Sequence, residues 1–212
     1  FAFFLFTFTL AVFIQDPVLE SYGAEVFQMT ISESSSLTIN WGCGVLIGLL
    51  FAGSLVVPRI GKLATTRLGC RLILFSMLLL IAAGLLGSKS FLLVVTVIFG
   101  LACGIGTNGS LSLMLDFTLP QAAGAFVGVW GLTQAYGRAV AKFTGGILLD
   151  AGQQLNLFFN VGDETLAPYL LVLAIEALAA LAALMLASNL QMAQFKNDTG
   201  KSLSQVQTIE LG

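Results

Sequence analysis

Long apolar runs separated by short polar segments make up most of this chain. Six of the runs approach or exceed the roughly 20 residues that an α-helix needs to cross a bilayer. They cover residues 1–28, 34–58, 70–88, 91–116, 121–149 and 166–193. The pattern therefore predicts an all-α polytopic membrane protein, with a six-helix transmembrane bundle over residues 1–193 and a polar tail over residues 194–212.

The polar separators carry residues that start or end helices. Pro58 closes the second run, and Pro120 opens the fifth. The first run is interrupted at Asp16-Pro17, where proline removes a backbone donor. Residues 18–29 are predicted either to continue the first helix after a kink or to form a separate interfacial segment.

Composition agrees with a membrane protein and excludes several other classes. Of 212 residues, 57% are hydrophobic and 9% charged, and the mean hydropathy is +0.96. A typical soluble domain has about a quarter of its residues charged. The chain has no His and no CxxC pair, so we expect no metal site of its own. It has no basic tract for nucleic acid. Because the chain starts on an apolar run at Phe1, we expect it to be a fragment.

Basic residues give a predicted orientation. Four of them fall between the second and third runs, which places that loop on the cytoplasmic side. They are Arg59, Lys62, Arg67 and Arg71. Alternation of the spans then puts the C-terminus in the cytoplasm, and Lys89 is the one basic residue that disagrees. Six spans with a cytoplasmic tail correspond to half of a twelve-helix transporter.

Charged residues inside the predicted spans lead to two main interpretations, because each costs a few kcal/mol unless it has a partner, water or a function. In the first, Glu176 forms an intramembrane ion pair with Arg138 or Lys142, since a rise of about 1.5 Å per residue puts them at similar depth. In the second, Asp16 and Glu20 face Arg138 across a polar cavity that binds or gates a ligand. In a third interpretation, the boundary of the first span is misplaced and Asp16 lies among the lipid headgroups. The candidate cavity residues are Asp16, Glu20, Tyr22, Glu25, Asn108, Gln134, Arg138 and Lys142.

Small and aromatic residues indicate packing surfaces. Three glycine pairs have the GxxxG spacing that favours close helix packing, with approach to a flat ligand as the alternative. The pairs are Gly44/Gly48, Gly100/Gly104 and Gly124/Gly128. The Phe-rich start of the chain is typical of a lipid-facing surface, and a surface for pigment rings is the alternative.

Two stretches carry a family resemblance. They are QDPVLESYGAEVF over residues 15–27, and DFTLPQAAGAFVGVWGLTQAYGR over residues 116–138 together with GGILLD over residues 145–150. Both resemble the PucC family, the bacteriochlorophyll-delivery branch of the major facilitator superfamily, and are most similar to its cyanobacterial members. The resemblance runs along nearly all of the chain and implies six transmembrane helices equivalent to the C-terminal half of a major facilitator fold.

The resemblance implies a membrane assembly factor or carrier that delivers or handles chlorophyll for light-harvesting or photosystem complexes. It would act by binding rather than as an enzyme, in a thylakoid or photosynthetic plasma membrane. Expected ligands are chlorophyll or a related tetrapyrrole, and carotenoid; expected partners are photosystem or light-harvesting subunits and a missing N-terminal six-helix half. In the absence of His, the chlorophyll magnesium would be bound by Glu20, Glu25 or Gln134.

Two other functions remain open at this point. One is a stably bound structural subunit of a photosystem or antenna complex, which an authentic six-helix chain would favour. The other is a small-solute transporter of the major facilitator type, coupled to protons through Asp16 or Glu20.

Overall fold

The protein is all-α in the residues that its computed structural model describes, which are 1–117, 123–159 and 165–190. The elements are α1 (Ala2–Phe13), α2 (Leu19–Phe27), α3 (Ile31–Phe51), a π-helical turn (Ala52–Val56), α4 (Val57–Ile60), α5 (Lys62–Leu86), α6 (Lys89–Phe117), α7 (Ala123–Phe159) and α8 (Leu166–Ser188). The predicted fold class is confirmed.

Four helical stretches in the described residues have the length and hydropathy of membrane spans. They are Ile31–Ile60, Lys62–Leu86, Lys89–Asp116 and Leu166–Ser188. These four correspond to predicted spans two, three, four and six. The first predicted span is divided into the short apolar α1 and α2, and the fifth, α7, is 37 residues long and is not among the four.

Helix ends differ from the predicted boundaries at several places. The third predicted span corresponds to α5, which begins at Lys62 rather than at residue 70. The fifth corresponds to α7, which continues to Phe159 rather than ending at residue 149. The second predicted span corresponds to α3, which begins at Ile31 rather than at residue 34, and Thr30 and Glu33 form a capping box there. Hydropathy marks the apolar part of a helix, whereas backbone hydrogen bonding continues into its polar ends, so the predicted spans are too short there. The predicted tail, residues 194–212, lies outside the described residues.

Glycines bring α3 and α6 into close contact. A Cβ atom on Gly44 would lie 2.5 Å from the Val97 carbonyl oxygen, and one on Gly48 would overlap the Leu101 carbonyl. Gly100 and Gly104 face them from α6. The packing prediction is therefore confirmed for two of the three GxxxG pairs. The third pair is not used in this way, since no described atom lies within 4 Å of a Cβ atom placed on Gly124 or Gly128.

Polar contacts join helix ends at both ends of the bundle. At one end Lys62 forms a 2.6 Å ion pair with Asp116. There Arg67 donates hydrogen bonds to the last carbonyls of α8, those of Ala187 and Ser188, where a cation also complements the helix dipole. At the other end Lys89 donates to the Gln28 carbonyl oxygen at 3.1 Å. Lys89, the one basic residue that disagreed with the predicted orientation, thus bonds to the chain segment between α2 and α3.

Candidate functional site

A break in the first predicted span positions Asp16 beside α7. Residues 14–18 form turns between α1 and α2, and Pro17 lies within them. Gly145 of α7 packs on the Ile14 carbonyl, where any side chain would overlap the backbone. This close approach lets the Lys142 ammonium pair with the Asp16 carboxylate at 2.6 Å.

A cavity of about 410 Å³ opens next to the break, between α1, α3, α6 and α7. Its walls combine aromatic and aliphatic side chains with a few polar groups. They include Phe8, Phe13, Asp16, Trp41, Val45, Leu49, Cys103, Thr107, Gln134 and Arg138. The cavity brings together Asp16, Gln134 and Arg138 as predicted, with Lys142 at its edge through the Asp16 pair.

Two residues of this cavity, Arg138 and Trp41, carry polar groups that can only donate hydrogen bonds. The Arg138 guanidinium stacks 4.6 Å from the centre of the Phe13 ring and donates to Gln134 Oε1 at 3.3 Å. Neither ion pair in the described chain involves Arg138. The buried Trp41 indole N–H faces the weakly accepting Cys103 sulfur and has no oxygen acceptor among the described residues. Neither Arg138 nor Trp41 therefore has an anionic partner in the part of the chain that the structure describes.

The predicted ion pair of Glu176 with Arg138 or Lys142 is wrong. Glu176 is fully buried on α8, and its carboxyl oxygens have no side-chain hydrogen-bond or ion-pair partner in the described part of the chain. Its carboxyl group faces the Gln15 backbone and Asp16, not α7. The prediction used depth alone, but successive helical residues rotate by about 100°, so residues at equal depth need not face each other.

Two other predicted cavity residues, Glu20 and Glu25, lie on α2 and do not line the cavity. Glu20 accepts a 2.7 Å hydrogen bond from the Thr38 hydroxyl. Glu25 accepts a 2.7 Å hydrogen bond from the Tyr169 hydroxyl. The predicted meeting of Glu20 and Arg138 across one cavity is therefore not found.

Tyr22 and Asn108 satisfy their polar groups within the helix bundle. The buried Tyr22 hydroxyl donates to the Leu80 carbonyl oxygen at 2.9 Å. Asn108 donates to the Leu49 carbonyl oxygen at 3.1 Å, beside the π-helical turn. These contacts hold helices together, and neither residue lines the cavity.

Comparison with known families identifies the chain. The family model described as PUCC protein matches residues 1–195. The chain belongs to the PUCC protein family. The predicted family is confirmed, and its membership together with the four apolar spans makes this PucC-family chain an integral membrane protein.

Two curated relatives match most of the chain. The chain is 29% identical over 169 residues to "Protein PucC" of Cereibacter sphaeroides, covering 80% of this chain and 36% of that protein. It is 30% identical over 201 residues to the "Bacteriochlorophyll synthase 44.5 kDa chain" of Rhodobacter capsulatus, covering 92% of this chain and 45% of that protein. The PucC-family chain thus spans less than half the length of these relatives.

A solved structure shares the fold. The crystal structure of a D-xylose-proton symporter matches with a TM-score of 0.63 and 16% identity, covering all of the PucC-family chain and 53% of the symporter. The fold is thus that of about half of a symporter. This agrees with the predicted half-transporter architecture.

Sequence analysis missed one residue of the aromatic wall of the cavity, Trp41. Trp41 lies well inside an apolar run, whereas transmembrane tryptophans concentrate at the membrane interfaces, so its position was a usable signal. Phe8 and Phe13 line the cavity, and Phe4 is buried at 2% exposure. The prediction that the Phe-rich start faces lipid is therefore wrong for these residues of the PucC-family chain, although Phe3 is exposed.

Proposed function

We propose that this protein binds a chlorophyll-type pigment and hands it to light-harvesting or photosystem subunits in a thylakoid or other photosynthetic membrane. The supporting observation is the cavity beside the helix break, in which aromatic side chains surround a small number of polar groups. Such a surface suits a flat, largely apolar ring that carries a few polar substituents. The relatives' names, PucC and bacteriochlorophyll synthase chain, support a pigment as the ligand.

Gln134 is the candidate for contact with the pigment magnesium. Of the three predicted ligands, it alone lines the cavity. Glu20 and Glu25 accept hydrogen bonds from other helices instead. Among the described residues, the Gln134 carbonyl oxygen accepts a long 3.3 Å hydrogen bond from Arg138, and an amide oxygen has a second lone pair for a magnesium ion or its water. Carotenoid is a second candidate ligand, through the apolar walls.

The protein would act by binding and release, without covalent chemistry. Its C-terminal side would be cytoplasmic, which agrees with the clustering of Lys62 and Arg67 at the end where α8 stops. The helix break and its ion pair with α7 lie at the cavity, and broken helices commonly form binding sites in transporters.

The test is purification of the full-length protein in mild detergent, with an absorption spectrum and mass spectrometry of the proteins that accompany it. Leu49→Trp fills the cavity, whereas Leu50→Trp changes a neighbouring side chain that is 74% exposed. Bound chlorophyll that is lost in the first variant and kept in the second supports the proposal.

Other outcomes favour the alternatives. Pigment retained by Leu49→Trp at the wild-type level contradicts this site. In that case, tight association with photosystem subunits would favour a structural subunit. A colourless wild-type protein that takes up a small solute in response to a proton gradient would instead be a transporter.

A further inference from the structure

The charges at the cavity do not balance. Asp16 and Lys142 neutralise each other in a 2.6 Å pair. Arg138 is then left as an extra cation, with the Phe13 ring and the neutral Gln134 amide as its contacts. Glu176 does not supply the missing anion, because it forms no ion pair with Arg138 or with any other cation among the described residues.

The neighbouring Trp41 would also gain from an oxygen acceptor in the cavity. Its indole nitrogen can only donate a hydrogen bond, is buried, and has beside it only the weakly accepting Cys103 sulfur among the described residues. A buried donor with a weak acceptor gains stability from a stronger one. Arg138 is an exposed side chain in the middle of α7, and it has no counter-charge in the described residues. A ligand oxygen that carries negative charge would satisfy both groups, and guanidinium forms especially strong hydrogen bonds with carboxylates.

We infer that the cavity recognises an amphipathic ligand that carries a free carboxylate, with Arg138 and Trp41 as the carboxylate-recognising pair. This inference rests on the proposed pigment-binding function and narrows it. Chlorophyllide has a free propionate on its ring, whereas in chlorophyll the same carboxyl group is esterified and uncharged. The inferred ligand is therefore the unesterified pigment.

The aromatic residues determine where the rest of the ligand lies. Phe13 holds the flat face of the guanidinium, so the edge of Arg138 remains for hydrogen bonds. Phe8 and Trp41 supply apolar surface in the same cavity. The ring of the ligand would lie along these side chains while its carboxylate reaches Arg138.

The test compares two ligands that differ only in charge. Full-length protein, produced in a host without chlorophyll and placed in phosphatidylcholine nanodiscs, is titrated with chlorophyllide a or its methyl ester, and binding is followed by pigment absorption and fluorescence. Since a charge-assisted hydrogen bond contributes about a factor of ten or more, the wild type should bind chlorophyllide about tenfold more tightly than the ester.

Variants test which residues cause the preference for chlorophyllide over its methyl ester. Arg138→Gln should remove it, and Trp41→Phe, which keeps an aromatic ring without the N–H, should reduce it. Arg71→Gln is the matched control, because Arg71 is an exposed arginine on α5 outside the cavity. It should leave the preference unchanged.

The outcomes separate this inference from the proposed function. Equal binding of both ligands by the wild type, or a preference that survives Arg138→Gln, overturns the carboxylate site but leaves pigment binding intact. Binding of neither ligand overturns both. The ligand comparison in the wild type needs no variant, so the test holds even if Arg138→Gln does not fold.

Discussion

The Lys142 ammonium on α7 lies 2.6 Å from the Asp16 carboxylate in the break between α1 and α2. One turn earlier on α7, Arg138 stacks on Phe13 of α1. Residue numbers on the two helices increase together across these contacts, so α1 and α7 run parallel. The break in the first helix is thus held to α7 by two cationic side chains at the cavity.

The Asp16–Lys142 pair should show energetic coupling. In a double-mutant cycle with Asp16→Asn and Lys142→Gln, we expect a coupling of about 0.5–1 kcal/mol, because the pair is close but Lys142 is largely exposed. Thermal unfolding of the full-length protein in detergent measures it. As a control, Glu20→Gln with Lys142→Gln should show no coupling, since Glu20 bonds to Thr38. Additive effects of the first pair would contradict the contact.

Removal of the Glu176 carboxyl group should not weaken the fold. Glu176→Met eliminates two buried oxygens that have no side-chain partner among the described residues, so the free energy of unfolding should stay the same or rise by about 1–3 kcal/mol. The change should be the same in an Arg138→Gln, Lys142→Gln background. If Glu176→Met greatly lowered the free energy of unfolding in the wild type but not in that background, the result would support the ion pair of Glu176 with Arg138 or Lys142.

Adding one methyl group should have opposite effects at two glycines of α3. Gly48→Ala places a Cβ atom against the Leu101 carbonyl of α6 and should destabilise the protein by about 1–3 kcal/mol. Gly42→Ala meets no described atom within 4 Å and should be neutral or stabilising, by up to about 1 kcal/mol. Thermal unfolding of both variants measures the difference. Equal effects would show that this helix contact does not limit stability.

The Tyr169–Glu25 hydrogen bond should contribute to stability and not to pigment binding. Tyr169→Phe removes the 2.7 Å bond between α8 and α2, and we expect a loss of about 1–3 kcal/mol because the acceptor is a carboxylate. Pigment affinity should be unchanged, since neither residue lines the cavity. A pigment affinity that falls in Tyr169→Phe or Glu25→Gln would instead support Glu25 as a ligand residue.

Several features of the site were predictable because they depend on residues close together in the chain. Pro17 beside Asp16 indicated a break in the first span, and the four-residue spacing of Arg138 and Lys142 placed both on one face of α7. The partners of these cations were less accessible to sequence analysis. Asp16 and Glu176 lie at similar depth, and only the packing decides that α7 faces Asp16.

The sequence by itself determined the all-α membrane class, the helix break and the family, because run length, proline and family motifs are local properties of the chain. The tertiary structure alone decided which faces meet. Rotation of each helix about its axis depends on contacts between distant segments, such as Gly48 of α3 against Leu101 of α6. That rotation assigned Glu20 and Glu25 to helix contacts, left Glu176 without an ion-pair partner among the described residues, and turned Trp41 and Arg138 to one cavity.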